Sequence, residues 1–131
     1  METVPEAFND LLSTQLATLA TVGASGKPQL SVVWFLAEDG VVRISLSDSR
    51  QKTSNLKANN AASVLIIDPK NGFRYLEIRG RAEIAPDTDY AFANKVGAKY
   101  GADLRAYDAP GDTRLVVTIV ADRVRAVDMS G

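Results

Sequence analysis

One stretch of the sequence, Ser45–Leu56, concentrates side chains that could bind an anion. This basic segment follows one apolar, strand-like run and precedes another. Its residues Arg50, Lys52, Thr53 and Asn55 lie at a turn that is predicted to open a short helix. The first turn of a helix carries unpaired backbone N–H groups and a partial positive charge. Two cations and two hydroxyl or amide donors beside it predict a phosphate site.

A purely structural role is the alternative for the same residues. In that interpretation Asp48 or Ser49 caps the helix, and the basic side chains are solvated. Cations at a helix start oppose the helix dipole, however, which favours anion binding. A hydrogen bond to a charged group contributes about 1.5–3 kcal/mol, so three of them could hold a cofactor with micromolar affinity.

The strand predicted over Pro28–Leu36 is a second candidate. Gln29, Ser31 and Val33 share one face of it, where the polar pair could contact the polar edge of a flat ring. Trp34 could stack on such a ring. The alternative is a half-exposed strand with Trp34 in the core or in a subunit interface, and the pattern alone favours this alternative.

A third candidate lies at the start of the longest predicted strand, where Phe73, Arg74 and Tyr75 follow one another. These residues could contact a ligand at the rim of a barrel. Ordinary strand aromatics are the alternative.

Composition excludes most conventional catalytic machinery. The chain has no histidine and no cysteine, which removes Ser-His-Asp and Cys-His triads and nearly all zinc enzymes. No metal-ligand spacing, GxGxxG or Walker motif is present. The 15 basic and 16 acidic residues argue against broad nucleic-acid binding. We therefore expect a binding protein, or an enzyme whose cofactor carries the chemistry.

The elements that must position these residues are mainly strands, in one domain that spans residues 1–131. Hairpin order predicts a small antiparallel barrel, with a bend or bulge at Gly80. The run LSVVWFL is apolar on both faces, so we expect helices or a second subunit to cover it, a homodimer being the simple case. No apolar run is long enough to span a membrane and no signal-peptide pattern is present, which predicts a cytoplasmic protein. Six strands are predicted, at 16–22, 28–36, 41–46, 62–67, 73–84 and 114–127, with short helices at 5–12, after the basic turn and at 87–100.

Three stretches resemble one known family: LATLATVGASGKPQLSVVWF, SDSRQKTSNLKANNAASVLI and FRYLEIRGRAEI. They are similar to the split-barrel flavin and deazaflavin oxidoreductases of the pyridoxamine 5'-phosphate oxidase-like superfamily, also called FMN-binding split barrels. The resemblance is strongest to the actinobacterial branch that uses coenzyme F420. It implies a six-stranded antiparallel split β-barrel of Greek-key type with a few short flanking helices. It also implies a homodimer, with a cofactor site in each groove of its interface.

The resemblance further implies roles for individual residues. The cofactor phosphate would bind to the basic segment, and the PQLS strand would line the isoalloxazine-like ring. The aromatic start of the long strand would come from the partner subunit. The cofactor-binding residues implied in this way are Pro28, Gln29, Ser31, Val33, Ser45, Ser47, Arg50, Lys52, Thr53, Asn55, Phe73 and Tyr75.

The activity implied by the resemblance is hydride transfer from reduced F420 to an activated double bond of an enone, quinone or unsaturated lactone. An FMN-binding oxidase or flavin reductase of the same superfamily is one alternative. A non-catalytic cofactor-binding or storage protein is another. The expected partners are a small-molecule substrate and a second copy of the chain, without nucleic acid or membrane, and no residue is assigned a catalytic role.

Overall fold

The computed structural model describes residues 1–130, which contain two α-helices and seven strands. The helices are α1 (Gln51–Ala58) and α2 (Ala91–Tyr100), and 3₁₀ segments cover Glu6–Ser13, Thr88–Tyr90 and Leu104–Tyr107. The strands are β1 (Ala17–Thr21), β2 (Gln29–Val33), β3 (Leu36–Glu38), β4 (Val41–Ser47), β5 (Ala61–Asp68), β6 (Asn71–Pro86) and β7 (Arg114–Asp128).

All seven strands form one antiparallel, curled sheet in the order β2-β1-β5-β6-β7-β4-β3. Alternating side chains of β6 enter the core, as its period-two pattern predicts, and Leu76, Ile78 and Ala82 are buried. The register of β6 against β7 shifts at Gly80, where a Cβ atom would lie 1.8 Å from the carbonyl oxygen of Val120. A mainly β split-barrel fold with a bulge at this glycine is thus confirmed.

The predicted single strand over residues 28–36 is wrong in one respect, because the strand is interrupted at Trp34 and Phe35. Phe35 is fully buried in the main core, while Trp34 packs with α2 in a second cluster. The backbone N–H of Phe35 donates to the hydroxyl of Tyr100 at 3.0 Å. This side-chain partner replaces a strand neighbour, so the sheet has seven strands rather than six.

The second helix begins later than predicted. Asp87 does cap it, since its carboxylate accepts hydrogen bonds from the backbone N–H groups of Phe92 and Ala93, both at 2.9 Å. The chain first makes an extra turn, in which Asp89 and Tyr90 have left-handed φ values of 56° and 59°. The helix therefore starts at Ala91, and it ends at Gly101 as predicted.

One face of the sheet carries large apolar side chains that are exposed in the single chain. This outer apolar face consists of Leu16, Leu30, Val32 and Ile67, and Leu30 and Val32 are 70% and 64% exposed. Three of the four line one groove together with Leu65. Among residues 1–130, no helix has both the length and the apolar character that crossing a bilayer requires.

Candidate functional site

The basic segment contains the end of β4, a turn and most of α1. Arg50 occupies the N-cap position of the helix, and no side chain within residues 1–130 caps it there. The hydroxyl of Ser49 instead lies 3.0 Å from that of Ser47, while Asp48 pairs with Lys57. The cap expected from the structural alternative, at Asp48 or Ser49, is therefore wrong.

The side chains of Arg50 and Lys52 line an open pocket between the sheet and α2, with a volume of about 250 Å³. A smaller recess of about 90 Å³ continues from it past Ser47 and Ser49. Both spaces share Ser45, Leu46, Arg50, Lys52, Tyr107 and Arg114. The structure thus brings the basic segment and the end of β4 to one concave site.

Lys52 is the unusual group of this pocket. Only 8% of the residue is exposed, yet within residues 1–130 its ammonium group has no hydrogen-bond or ion-pair partner. Burial, and secondly the positive charge of Arg50, lower the pKa of Lys52. The stem of Lys52 is buried, while its nitrogen is not a fully buried polar atom and so opens to the pocket. A partly desolvated cation without a counter-charge would be stabilised by a bound anion. The pocket therefore fits the phosphate of a cofactor.

A third cation of the pocket, Arg114, is already compensated. The guanidinium of Arg114 lies 2.8 Å from Asp108, and both side chains are less than 10% exposed. Burial raises the pKa of Asp108, but hydrogen bonds from Arg114 and Tyr90 outweigh it and hold that pKa below its usual value. The charge available for a ligand therefore resides on Arg50 and Lys52.

An aromatic wall closes one side of the pocket. The indole of Trp34 lies flat on the ring of Tyr100, with centroids 4.3 Å apart and planes 5° from parallel. Tyr107 meets the same indole edge-on at 6.1 Å. Such paired aromatic rings are stabilised by both burial and quadrupole interactions. The wall provides a flat apolar surface next to the basic segment.

Two predicted phosphate ligands make contacts within the protein instead. The hydroxyl of Thr53 is fully buried and donates to the carbonyl of Ser47 at 2.8 Å. The amide nitrogen of Asn55 lies 2.8 Å from the side-chain oxygen of Gln29 and 3.1 Å from the hydroxyl of Thr21. These bonds fix α1 against the sheet, and direct contact of either residue with a cofactor stays a prediction.

The residues predicted to face a ring lie along β2, at the edge of the sheet. Gln29, Ser31 and Val33 alternate on one face of the strand, and exposed Pro28 precedes it. Val33 lines the pocket, while Gln29 approaches α1 through Asn55. The face thus extends from the pocket along α1, which fits the predicted placement, although contact with a ring stays a prediction.

Phe73 and Tyr75 are not among the residues that line this pocket in the same chain. They occupy the start of β6, where Tyr75 pairs with Ile67 of the outer apolar face. Phe73 is also 62% exposed. The resemblance assigns these two residues to the partner subunit, and their role in the site stays a prediction.

Three residues that shape the pocket are not indicated by the sequence. Tyr107 and Asp108 lie in a stretch predicted as loop, and Arg114 is predicted only as the start of a strand. No spacing relates them to the basic segment. Their only sequence signal is an aromatic and an acidic residue side by side in that loop.

Comparison with known proteins agrees with this geometry. Residues 4–128 match the family model described as Pyridoxamine 5'-phosphate oxidase. A solved structure named F420 Reductase is 36% identical, with a TM-score of 0.81, over 93% of this chain and 98% of that one. A conserved hypothetical protein from Mycobacterium tuberculosis is 28% identical, with a TM-score of 0.76, over 96% and 86%.

The heme storage protein HutZ from Vibrio cholerae shares the fold, with a TM-score of 0.75 at 17% identity over 96% of each chain. The fold thus serves proteins with different ligands. The family model covers nearly the whole chain, and the solved structures repeat its curled sheet. The chain therefore belongs to the pyridoxamine 5'-phosphate oxidase-like split-barrel superfamily.

Proposed function

We propose that this protein is an F420-dependent oxidoreductase that reduces an activated double bond of an enone, quinone or unsaturated lactone. The observation that carries the proposal is Lys52, a largely buried residue whose ammonium opens to a pocket with an aromatic wall and has no counter-charge within residues 1–130. The 36% identity to a protein named F420 Reductase supports F420 as the cofactor. When bound in its reduced form, this cofactor supplies the hydride.

The residues of the chain bind the cofactor and orient it. Arg50 and Lys52 donate to the phosphate, and Ser45 and Ser47 line the recess beside it. Thr53 holds the turn through its bond to the carbonyl of Ser47. A ligand fixed at its phosphate has its ring confined to one region, which lowers the entropic part of the barrier.

The ring side of the site is formed by the face of β2. Gln29 and Ser31 offer polar contacts to the edge of a ring, and Val33 and Trp34 provide apolar surface that excludes water. Excluding water strengthens the electrostatic interactions within the site. Asn55 keeps Gln29 in place through a hydrogen bond of 2.8 Å.

We also propose that the active form is a homodimer that buries the outer apolar face. Val32 lines both the pocket and the groove of that face, so the two surfaces are continuous. A second copy on this face would cover exposed apolar area and lie next to the pocket. It could bring its own Phe73 and Tyr75, which do not line the pocket within one chain.

A fluorescence titration with F420 and, separately, with FMN tests the cofactor. Replacing Arg50 and Lys52 together with alanine should raise the F420 dissociation constant at least tenfold, since each loses a charge-assisted hydrogen bond worth about 1.5–3 kcal/mol. The matched control is Lys57→Ala, which removes an exposed cation from the same helix. Its affinity should equal that of the wild type.

The outcomes separate the alternatives. Selective binding of F420, followed by turnover of an enone or quinone with the reduced cofactor, supports the proposal. Preference for FMN would replace it with the flavin-dependent alternative. Binding of F420 without turnover of any acceptor would favour a storage protein. Unchanged affinity in the double variant would refute the phosphate site.

A further inference from the structure

The corner between β2 and β3 occupies a special place in the sheet. These consecutive strands are its two edges, so the two residues between them, Trp34 and Phe35, connect one edge to the other. A corner has no neighbouring strand to pair its backbone, and buried backbone groups require partners. The end of α2 provides those partners with two side chains.

The first of them is Tyr100. Its hydroxyl accepts a hydrogen bond from the N–H of Phe35 at 3.0 Å and lies 2.7 Å from the carbonyl of Gln15. One side chain thus joins the corner to the segment that leads into β1. Desolvation raises the pKa of Tyr100, so its hydroxyl keeps its proton over the physiological range.

The second is Lys99. Its ammonium donates to the carbonyls of Phe35 at 2.9 Å and Thr14 at 2.7 Å, and lies 3.9 Å from the centre of the Phe35 ring. Burial lowers the pKa of Lys99 to about 8. The neutral amine still has two N–H donors, so both bonds persist in either protonation state. Side chains of α2 therefore hold both the backbone N–H and the backbone carbonyl of Phe35.

The indole of Trp34 connects the hydrogen-bonded corner to the pocket. The ring of Tyr100 lies parallel to the indole at 4.3 Å, and Trp34 lines the pocket. Among residues 1–130, Tyr100 is not one of those that line it. With the hydroxyl of Tyr100 fixed to the corner, its ring holds the plane of the indole.

We infer that Tyr100 is a positioning residue: it fixes the plane of Trp34, and so sets the ligand affinity of a pocket that it does not contact. This inference rests on the proposed function only in the identity of the ligand. Trp34 is the single tryptophan of the chain, so its fluorescence reports the stack even without a ligand.

Two substitutions separate the parts of the Tyr100 contact. Tyr100→Leu removes the stacked ring, and Tyr100→Phe keeps the ring but loses the hydroxyl. Phe92→Leu is the matched control, because Phe92 is buried in the same cluster on the same helix and lies outside both the stack and the set of pocket-lining residues described. Acrylamide quenching and the emission maximum of Trp34 are measured first, on each folded protein, and titration with F420 and FMN follows.

We expect Tyr100→Leu to make Trp34 more accessible to acrylamide and to raise the dissociation constant about fivefold, the equivalent of an aromatic pair worth roughly 1 kcal/mol. Tyr100→Phe should give a smaller change in both measurements, and Phe92→Leu should leave both unchanged. Equal losses in Phe92→Leu and Tyr100→Leu, or a Tyr100→Leu protein with wild-type quenching and affinity, would overturn the inference.

The two measurements also separate this inference from the proposed function. If the wild type binds neither cofactor, the proposed function fails while the quenching data still test the stack. If Tyr100→Leu fails to fold, Tyr100→Phe carries the test. A Tyr100→Phe protein identical to the wild type in both measurements then refutes the role of the hydroxyl anchor.

Discussion

Replacing Lys52 with methionine should stabilise the free protein and weaken its cofactor binding at the same time. The long apolar stem is kept, so packing changes little, and only the charge is removed. The pKa of Lys52 is lowered mainly by burial and secondly by the charge of Arg50. Both causes disfavour the charged group in the free protein, so its removal should raise the midpoint of thermal unfolding.

The binding effect has the opposite sign. Loss of one charge-assisted hydrogen bond, worth about 1.5–3 kcal/mol, corresponds to a rise of roughly 10- to 150-fold in the F420 dissociation constant. The stability gain should also depend on pH. The folded protein releases the proton of Lys52 at lower pH than the unfolded chain, whose reference pKa is 10.5. The free energy of unfolding of the wild type therefore rises as the pH increases from the lowered pKa of Lys52 to 10.5. The stability advantage of Lys52→Met is greatest near neutral pH and shrinks towards pH 10.5.

The assay combines thermal unfolding from pH 7 to pH 10 with a fluorescence titration at pH 7. Lys57→Met is the matched control, since its ammonium is half-exposed and paired with Asp48. Lys57→Met should leave the F420 dissociation constant unchanged, and the stability of this variant should depend on pH as that of the wild type does. A Lys52→Met protein that is less stable than the wild type and binds F420 equally well would refute the reasoning on both counts.

Two further predictions concern the ion pair of Asp108 with Arg114 and the outer apolar face. Asp108→Asn should lower the free energy of unfolding, measured by urea denaturation, by about 3–5 kcal/mol, because Arg114 is left buried without its counter-charge. Asp103→Asn, on the exposed side of the same loop, is the control and should change the free energy of unfolding little. Because the pKa of Asp108 is lowered, the wild type should also lose this stability as the pH falls below about 4, a loss that Asp108→Asn should lack. Leu30→Glu should convert a dimer into a folded monomer in analytical ultracentrifugation, and a wild-type chain that is already monomeric would refute the proposed interface.

Much of the fold could be predicted because it depends on local patterns. Alternation identified β6, a mid-strand glycine located its bulge, Asp87 was identified as the residue that caps α2, and Gly101 as the end of that helix. These features follow from periodicity and from backbone conformations that few residues adopt. The extra turn at Asp89 and Tyr90 could not be predicted, because Asp tolerates a left-handed backbone without requiring it and Tyr rarely adopts one.

The strand break and half of the pocket could not be predicted, because distant parts of the chain create them. Trp34 and Phe35 are both strong strand formers, and the competing partners for the backbone of Phe35 are the side chains of Tyr100 and Lys99, 65 and 64 residues further along. The buried pair of Asp108 and Arg114 likewise becomes part of the pocket only when the loop folds against β4. The cations of the basic segment were accessible to sequence reasoning because they are neighbours in the chain.

The strand order has a consequence for the time course of folding. β4 pairs with β7, and Arg43 and its partner Thr118 are 75 residues apart in the chain. A nascent chain can form the hairpin of β5 and β6 early, but β4 remains without that partner until β7 has left the ribosome. Such non-local pairing delays folding because the entropy of a long loop is lost before the contact forms. The corner at Trp34 likewise depends on Tyr100, 65 residues after Phe35, so the fluorescence of Trp34 in a stopped-flow experiment would time the docking of α2 rather than the first collapse.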